Sequence, residues 1–161
     1  ESPLRQIHRN LQTLAILSTA VFVSSISLAQ QEHCADQPAQ LATVSAVGKR
    51  HSEMAQAQRR EWDRYVTELR EKGSARGWSE VKKREVMQAP LRSPEYIADE
   101  SLKRPHQSTV ESWMKQLKLA EETNDLRSAC LSAKDVQEAS DRLLEIQLRQ
   151  YKLALRMLAD E

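Results

Sequence analysis

The side chains that most often carry chemistry are sparse in this sequence, and they do not fall into a metal-binding pattern. The chain has four histidines and two cysteines: His8, His33, His51, His106, Cys34 and Cys130. His33 and Cys34 are adjacent, and neither a C-x-x-C nor an H-x-x-x-H pair occurs, so the usual spacing of zinc ligands is absent. We therefore expect no bound metal and no other cofactor.

The sequence also shows no recognisable arrangement of residues for nucleophilic or acid–base catalysis. A chain with three glycines has neither a G-x-S-x-G turn nor a glycine-rich phosphate-binding loop. The carboxylate pairs Asp99-Glu100 and Glu121-Glu122 could in principle serve glycan hydrolysis. Neighbouring residues on a helix do not share a face, however, so the expectation is a protein that is not an enzyme. A glycan-cleaving enzyme would require two facing carboxylates in a deep pocket.

The first 29 residues have the pattern of a secretory signal peptide. A basic start precedes the apolar stretch 11–28, and Ser27 and Ala29 supply the small residues before a cleavage site. The strongly apolar part is short of the ~20 residues that span a bilayer, so an uncleaved anchor or a buried helix is the less favoured alternative. We expect an exported bacterial protein, periplasmic or secreted, whose mature chain begins near Gln30.

In an exported protein, the even pair Cys34 and Cys130 predicts a disulfide. Cys34 precedes the first long helix and Cys130 precedes the last one, so the bridge would hold the starts of these two helices together. The two helices should then run in parallel, with a third helix antiparallel between them. The alternative is two buried free thiols, which gains weight if the protein is not exported.

The composition predicts an all-α protein. Glycine and proline are rare, with three and five residues, and apolar residues never alternate over a convincing strand-length run. A chain of 161 residues is long enough for one modest core. We expect residues 30–161 to form one domain, an antiparallel helical bundle of three long helices plus short helices, preceded by the signal peptide.

The C-terminal stretch from Ser132 to Leu158 is the strongest helix signal, because it lacks glycine and proline and carries two apolar rows. The first apolar row consists of Val136, Ala139, Leu143, Ile146, Leu153 and Met157, interrupted by Gln150. The second apolar row consists of Leu144, Leu148, Tyr151, Leu155 and Leu158. Two rows make an apolar arc too wide for one neighbour, so the helix must be covered from at least two sides.

The other helices are marked by capping residues and breakers. The first long helix is expected from about Pro38 to Glu71, with Asp36 as its N-cap. Glycines and prolines divide residues 73–107 into short pieces, in which Ser79 and Ser93 start short helices. A third long helix is expected to open at Ser108, where Ser108-x-x-Glu111 forms a capping box.

Charge is unevenly distributed, although the whole chain has a formal net charge of only +1. Residues 49–92 hold 12 basic and 7 acidic residues, whereas residues 93–161 hold 10 and 13. The positive middle segment could attract an anionic partner such as a lipid headgroup, a glycan or nucleic acid. The interleaved acids favour an ordinary solvated face instead, and export argues against nucleic acid.

The candidate partner surface combines basic and aromatic side chains. It consists of Arg59, Arg60, Arg64, Trp78, Lys82, Lys83, Arg84 and Tyr96. Trp62 and Tyr65, which lie between these arginines, keep the spacing of a helix core and are interpreted as packing residues. An equally good interpretation of residues 73–107, the region divided by glycines and prolines, is a cap over the open end of the bundle.

Two functional hypotheses follow. The first is an exported non-enzymatic protein that acts through protein–protein contacts, with another protein or a second copy, in a cell-envelope or secreted assembly. The alternative is a surface-binding module that uses the basic 59–84 segment on anionic lipid or glycan, for which loss of binding at raised salt would be the signature.

Overall fold

The computed structural model describes residues 28–161, and the predicted signal peptide at 1–29 lies outside them except for its last two positions. All regular structure in this range is helical, which confirms the predicted all-α class. The helices are α1 (Leu28–His33), α2 (Gln37–Ala75), α3 (Glu80–Gln88), a 3₁₀ turn (Ala89–Arg92), α4 (Pro94–Thr123), α5 (Arg127–Leu131) and α6 (Ala133–Asp160). None of them combines the length and apolarity needed to cross a membrane.

Helix α2 begins as the sequence predicts and continues one turn further than expected. The Asp36 side chain accepts a hydrogen bond from the backbone N–H of Ala39 at 2.8 Å, which satisfies one of the free donors of the first turn. Gly73 was expected to end the helix but lies inside it. A Cβ on Gly73 would lie 3.0 Å from Lys83 Cε and 3.3 Å from Trp78 Cε3, so a larger residue there would have to displace the Lys83 side chain and crowd the Trp78 ring. The chain turns instead at Gly77, whose φ is +66°.

The prediction that a helix starts at Ser108 is wrong, and so is the break at Pro105. Helix α4 runs without interruption from Pro94 to Thr123, with Ser93 as its N-cap, accepting from the N–H of Tyr96 at 3.1 Å. A proline inside a helix costs about 3 kcal/mol. The apolar side chains Trp113 and Ala120 are buried after Pro105, and their burial opposes this cost. Before Pro105, the buried side chains Asp99 and Lys103 are charged, and each is held in an ion pair.

Helices α2 and α4 both pack along α6, and each contacts α6 far more extensively than α2 and α4 contact each other. Between α2 and α6, His51 contacts Ser140 and Lys72 contacts Leu158, so residue numbers rise together and these helices run in parallel. Between α4 and α6, Glu95 pairs with Arg156 and Asp99 with Arg149, so residue numbers run in opposite directions.

The apolar core has two parts, one at each end of α6. The end near the disulfide consists of Val47, Trp113, Ala129, Ala133 and Val136. The indole N–H of Trp113 donates to the carbonyl oxygen of Ala129 at 2.9 Å, so this buried polar atom is satisfied. The other end consists of Tyr65, Leu69, Val86, Ala154 and Leu158, and Trp78 packs against it.

A disulfide joins Cys34 to Cys130, the pairing that the sequence predicts, with 5.9 Å between the Cα atoms. Both cysteines are buried, and the Gln40 side chain donates to the carbonyl oxygen of Cys34 at 2.9 Å. Because Cys34 precedes α2 and Cys130 lies just before α6, the bridge holds the starts of the two parallel helices together.

Replacing both cysteines by serine is expected to lower the free energy of unfolding. The two cysteines are 96 residues apart, and closing a loop of that length stabilises a fold by up to about 4–5 kcal/mol in the chain-entropy model. Urea unfolding of the oxidised protein and the double variant measures the loss. A reducing agent should lower the midpoint of the wild type and leave the variant unchanged. Equal midpoints for the oxidised wild type and the variant would contradict the stabilising role of the bridge.

Candidate functional site

The eight residues of the candidate partner surface do not form one surface. Trp78, Lys82 and Lys83 lie together at the turn after α2: Lys82 Nζ is 5.8 Å from the centre of the Trp78 ring, and Lys83 forms an ion pair with Glu80 at 2.8 Å. Trp78 is half-buried against the core. This part of the region therefore acts as a cap on the helices, which is one of the two interpretations that the sequence left open.

Three of the twelve cations in the middle segment contact the end of α6. Lys72 Nζ donates to the carbonyl oxygens of Leu158 and Ala159 at 2.5 and 2.9 Å, and Arg76 donates to the carbonyl oxygen of Glu161. Lys82 pairs with the Glu161 carboxylate at 2.9 Å. These cations satisfy carbonyl groups that a helix end leaves open, and they complement the negative end of its dipole.

The four arginines of the candidate partner surface are exposed. Arg64 pairs with Glu68 at 3.0 Å, and Arg84 makes a weak hydrogen bond to the carbonyl oxygen of Glu80 at 3.4 Å. Arg59 and Arg60 form no hydrogen bond or ion pair with another residue of the 28–161 range. Binding of anionic lipid or glycan through this segment stays a prediction, with Arg59 and Arg60 as its least engaged cations.

Tyr96 lies apart from these residues, in the wall of a cavity of about 160 Å³. The cavity is lined by Trp62, Tyr65, Met87, Pro90, Leu91, Tyr96, Lys103, Gln147, Gln150, Tyr151 and Ala154. These residues come from α2, α3, the 3₁₀ turn, α4 and α6. Four of the six aromatic side chains in residues 28–161 are therefore gathered around one space.

A satisfied ion pair forms the polar side of this cavity. Lys103 is 7 % exposed, its Nζ donates to Glu100 at 2.6 Å and lies 5.9 Å from the centre of the Tyr96 ring. The Gln150 side chain, which interrupts the first apolar row of α6, donates to the same carboxylate at 2.9 Å. Burial alone would raise the pKa of Glu100, but the hydrogen bonds from Lys103 and Gln150 outweigh it and lower that pKa below 4.5.

Unlike these polar groups, the buried hydroxyl group of Tyr65 is not satisfied by a hydrogen bond. Tyr65 is 2 % exposed, and its hydroxyl oxygen has no hydrogen-bond partner within residues 28–161. Burial raises the pKa of Tyr65, so the hydroxyl keeps its proton at neutral pH. A buried hydroxyl without a partner costs about 1–3 kcal/mol, and natural proteins rarely leave one unsatisfied.

The two apolar rows of α6 are covered to different degrees. In the first apolar row, Val136, Ala139, Ile146 and Leu153 are buried, whereas Leu143 and Met157 are half-buried. In the second apolar row, only Leu158 is buried, and Leu144, Leu148, Tyr151 and Leu155 are half-buried. Trp62 on α2 is 44 % exposed, and its ring centre lies 6.4 Å from that of Tyr151. An apolar strip along α6 and the adjacent part of α2 is therefore left partly open.

Of the two carboxylate pairs that the sequence suggested for chemistry, Asp99 and Glu100 are engaged in structural ion pairs, whereas Glu121 and Glu122 are exposed. Asp99 accepts two hydrogen bonds from the Nε and one from the Nη2 of Arg149, at 2.6 to 3.1 Å, whereas Glu100 points to Lys103. The adjacent acids thus have separate cationic partners and do not face each other across a cleft. Within residues 28–161, no group of three or more His, Cys, Asp or Glu side chains is placed to hold a metal ion.

Sequence reasoning missed the cavity, and it interpreted Trp62 and Tyr65 as packing residues. Those two residues do have helical core spacing, so the interpretation was reasonable, and Tyr65 is indeed in the core. The one available signal was Gln150, a polar residue in an otherwise apolar row. Comparison of the chain with models of protein families, with curated proteins and with solved structures found no match. Function is therefore inferred from the residues of this chain alone.

The Glu100 ion pair should make stability depend on pH. Because the pKa of Glu100 is lower in the folded state than the ordinary value of 4.5, its contribution is complete above pH ~4.5 and is lost as the pH falls through the folded value. Urea unfolding between pH 7 and pH 3 measures this loss. Glu100→Gln should be less stable than the wild type at pH 7 and lose less stability on acidification.

The matched control is Glu111→Gln, since Glu111 is exposed on the same helix and forms no hydrogen bond or ion pair within the described range. This control should follow the wild-type pH profile. If Glu100→Gln lost as much stability as the wild type between pH 7 and pH 3, the ion pair would not contribute to the pH dependence.

Proposed function

We propose that this chain is an exported, non-enzymatic helical bundle that acts through protein–protein contact, and that the contact is formed by the second apolar row of α6. The observation that carries the proposal is the difference in burial between the two rows. Four of the six residues of the first row are buried, whereas the second row is half-open over three turns, from Leu144 to Leu155, and buried only at Leu158. Half-open rows of leucine and tyrosine beside an exposed tryptophan are typical of binding surfaces.

The charges of α6 favour a second copy of this chain as the partner. Residues 134–146 carry four acids and two basic residues, whereas residues 147–158 carry three basic residues and no acid. Arg149 and Arg156 are paired with carboxylates of α4, so Lys152 is the cation of this half that can face a partner. If two copies of α6 pack antiparallel about a two-fold axis between Leu148 and Arg149, Lys152 of one copy comes opposite Glu145 of the other. Such an isologous contact would bring together the second apolar rows of the two copies. It would also place residues of opposite charge opposite each other.

Export supplies the setting for this contact. The disulfide fits an oxidising compartment, and the helices of residues 28–161 include none that could span a membrane. The proposed location is the cell envelope or the surrounding medium of a bacterium. An isolated exported protein whose mass still includes residues 1–29 would contradict removal of a signal peptide.

Replacing Leu148 by Asp should abolish self-association with little loss of monomer stability. Leu148 is half-buried, so the free energy of unfolding should fall by about 1 kcal/mol, against the 2–5 kcal/mol typical of a Leu→Ala change in a core. Sedimentation equilibrium measures association, and urea unfolding measures stability. Leu119→Asp is the matched control, because Leu119 is 59 % exposed on α4 and outside the second apolar row.

A charge exchange tests the antiparallel arrangement itself. Lys152→Glu should weaken association by placing like charges opposite each other, and adding Glu145→Lys should restore it. A wild-type protein that is monomeric at all accessible concentrations would contradict self-association through this row. Global unfolding of Leu148→Asp would show that the second row belongs to the internal core.

A further inference from the structure

We infer that α4 has two states: the full helix Pro94–Thr123, and a shorter helix that begins at Ser108 after residues 94–107 have unwound. Residues 94–107, the lid, cover one side of the aromatic cavity through Tyr96 and Lys103. Unwinding of the lid would therefore open the cavity. The inference goes beyond the proposed protein–protein contact, because it concerns a change of conformation within one copy of the chain.

The side chains of the lid are buried in the reverse of the usual order. Its two buried side chains, Asp99 and Lys103, are charged, whereas its large aliphatic side chains, Ile97 and Leu102, are each 54 % exposed. Burial of apolar surface is the main force that holds a helix against its neighbours. The lid lacks this force, so it should be the least stable part of α4.

Polar contacts with α6 hold the lid closed instead. Arg149 donates to Asp99 at 2.6 Å, and Gln150 donates to Glu100 at 2.9 Å. The Arg149 side chain is 51 % exposed, and ion pairs that stay in contact with solvent contribute little to stability. When the lid unwinds, water can replace these partners, so the closed state is favoured only modestly.

Pro105 and Ser108 supply the second start of α4. Pro105 has no backbone N–H to donate to the carbonyl oxygen of Ser101, so the helical hydrogen bonding is already interrupted there. Three residues further on, Ser108 and Glu111 have the spacing of a capping box. Both side chains are exposed and form no hydrogen bond with another residue of the 28–161 range. They can therefore cap a helix that begins at Ser108 without giving up a contact of the full helix.

The part of α4 after Ser108 is anchored without the lid. Trp113 and Ala120 are buried, and the indole N–H of Trp113 donates to the carbonyl oxygen of Ala129 at 2.9 Å. Val110 and Leu117 pack against the same part of the core. This half of the helix thus has the apolar contacts that the lid lacks, and it should stay folded when the lid unwinds.

The unwound lid is long enough to move away from α6 while both of its ends stay in place. Its 14 residues span ~21 Å as an α-helix and up to ~46 Å as an extended chain. At the other end, Pro90 in the 3₁₀ turn is buried, which holds the chain before the lid.

Native-state hydrogen exchange of the oxidised full chain, measured residue by residue by NMR, tests the inference. Amides of residues 98–107 should exchange through an opening of lower free energy than that of residues 112–121. Asp99→Asn should raise the equilibrium constant of lid opening about 10-fold, as expected for weakened hydrogen bonds to a charged group. The matched control is Asp141→Asn, which removes an ion pair with Arg50 between α2 and α6 and should leave the lid unchanged.

Ser108→Ala tests the second start of the helix directly. The Ser108 hydroxyl has no partner in the full helix, so its loss should destabilise only the shorter helix and slow exchange of the lid about 5-fold. The matched control Ser112→Ala removes an exposed hydroxyl from a residue that is helical in both states, and it should leave lid exchange unchanged.

Faster lid exchange in Asp99→Asn together with 5-fold slower exchange in Ser108→Ala supports the two states. Equal opening free energies for the lid and for residues 112–121 would overturn the inference. Slowing by about 2-fold or less in Ser108→Ala would also overturn it, because the higher helix propensity of alanine alone would explain a change of that size.

Discussion

Burial of the apolar arc of α6 is the constraint on which the other helices depend. The arc is too wide for one neighbour, so α2 covers it from one side in parallel and α4 covers it from the other side in antiparallel orientation. Surface ion pairs such as Glu95–Arg156 fix the register but contribute little by themselves. The disulfide adds a covalent limit at one end, and the cations Lys72, Arg76 and Lys82 hold the other end of α6.

The aromatic cavity and the half-open second apolar row both lie where this cover is incomplete. Helices α2 and α4 make few contacts with each other, so the space between them is filled near the disulfide by Trp113 and at the far end by α3 and the 3₁₀ turn. The aromatic cavity occupies the gap that remains, and the second apolar row runs along the flank of α6. The groups that could do chemistry, including Asp99, Glu100 and Lys103, are meanwhile engaged in ion pairs.

Local features of this fold could be predicted from the sequence, whereas features set by tertiary packing could not. The caps Asp36, Ser79 and Ser93 and the rows of α6 depend on residues within a few turns of one another, and they were predicted. Pro105 and the Ser108 box were misleading, because tertiary packing of α4 along α6 outweighs the lost hydrogen bond. The cavity brings together residues up to 92 positions apart, from Trp62 to Ala154, and the only local sign of it is Gln150, the polar residue in the first apolar row.

Native-state hydrogen exchange of the oxidised protein tests the organising role of α6 most directly. Amides that exchange only by global unfolding mark the most stable part of a structure. If α6 is the element on which the others depend, the slowest amides should lie in α6 between Val136 and Leu158, and those of α2 and α4 should be no slower. Slow exchange retained in α2 or α4 while α6 exchanges through local opening would contradict the account.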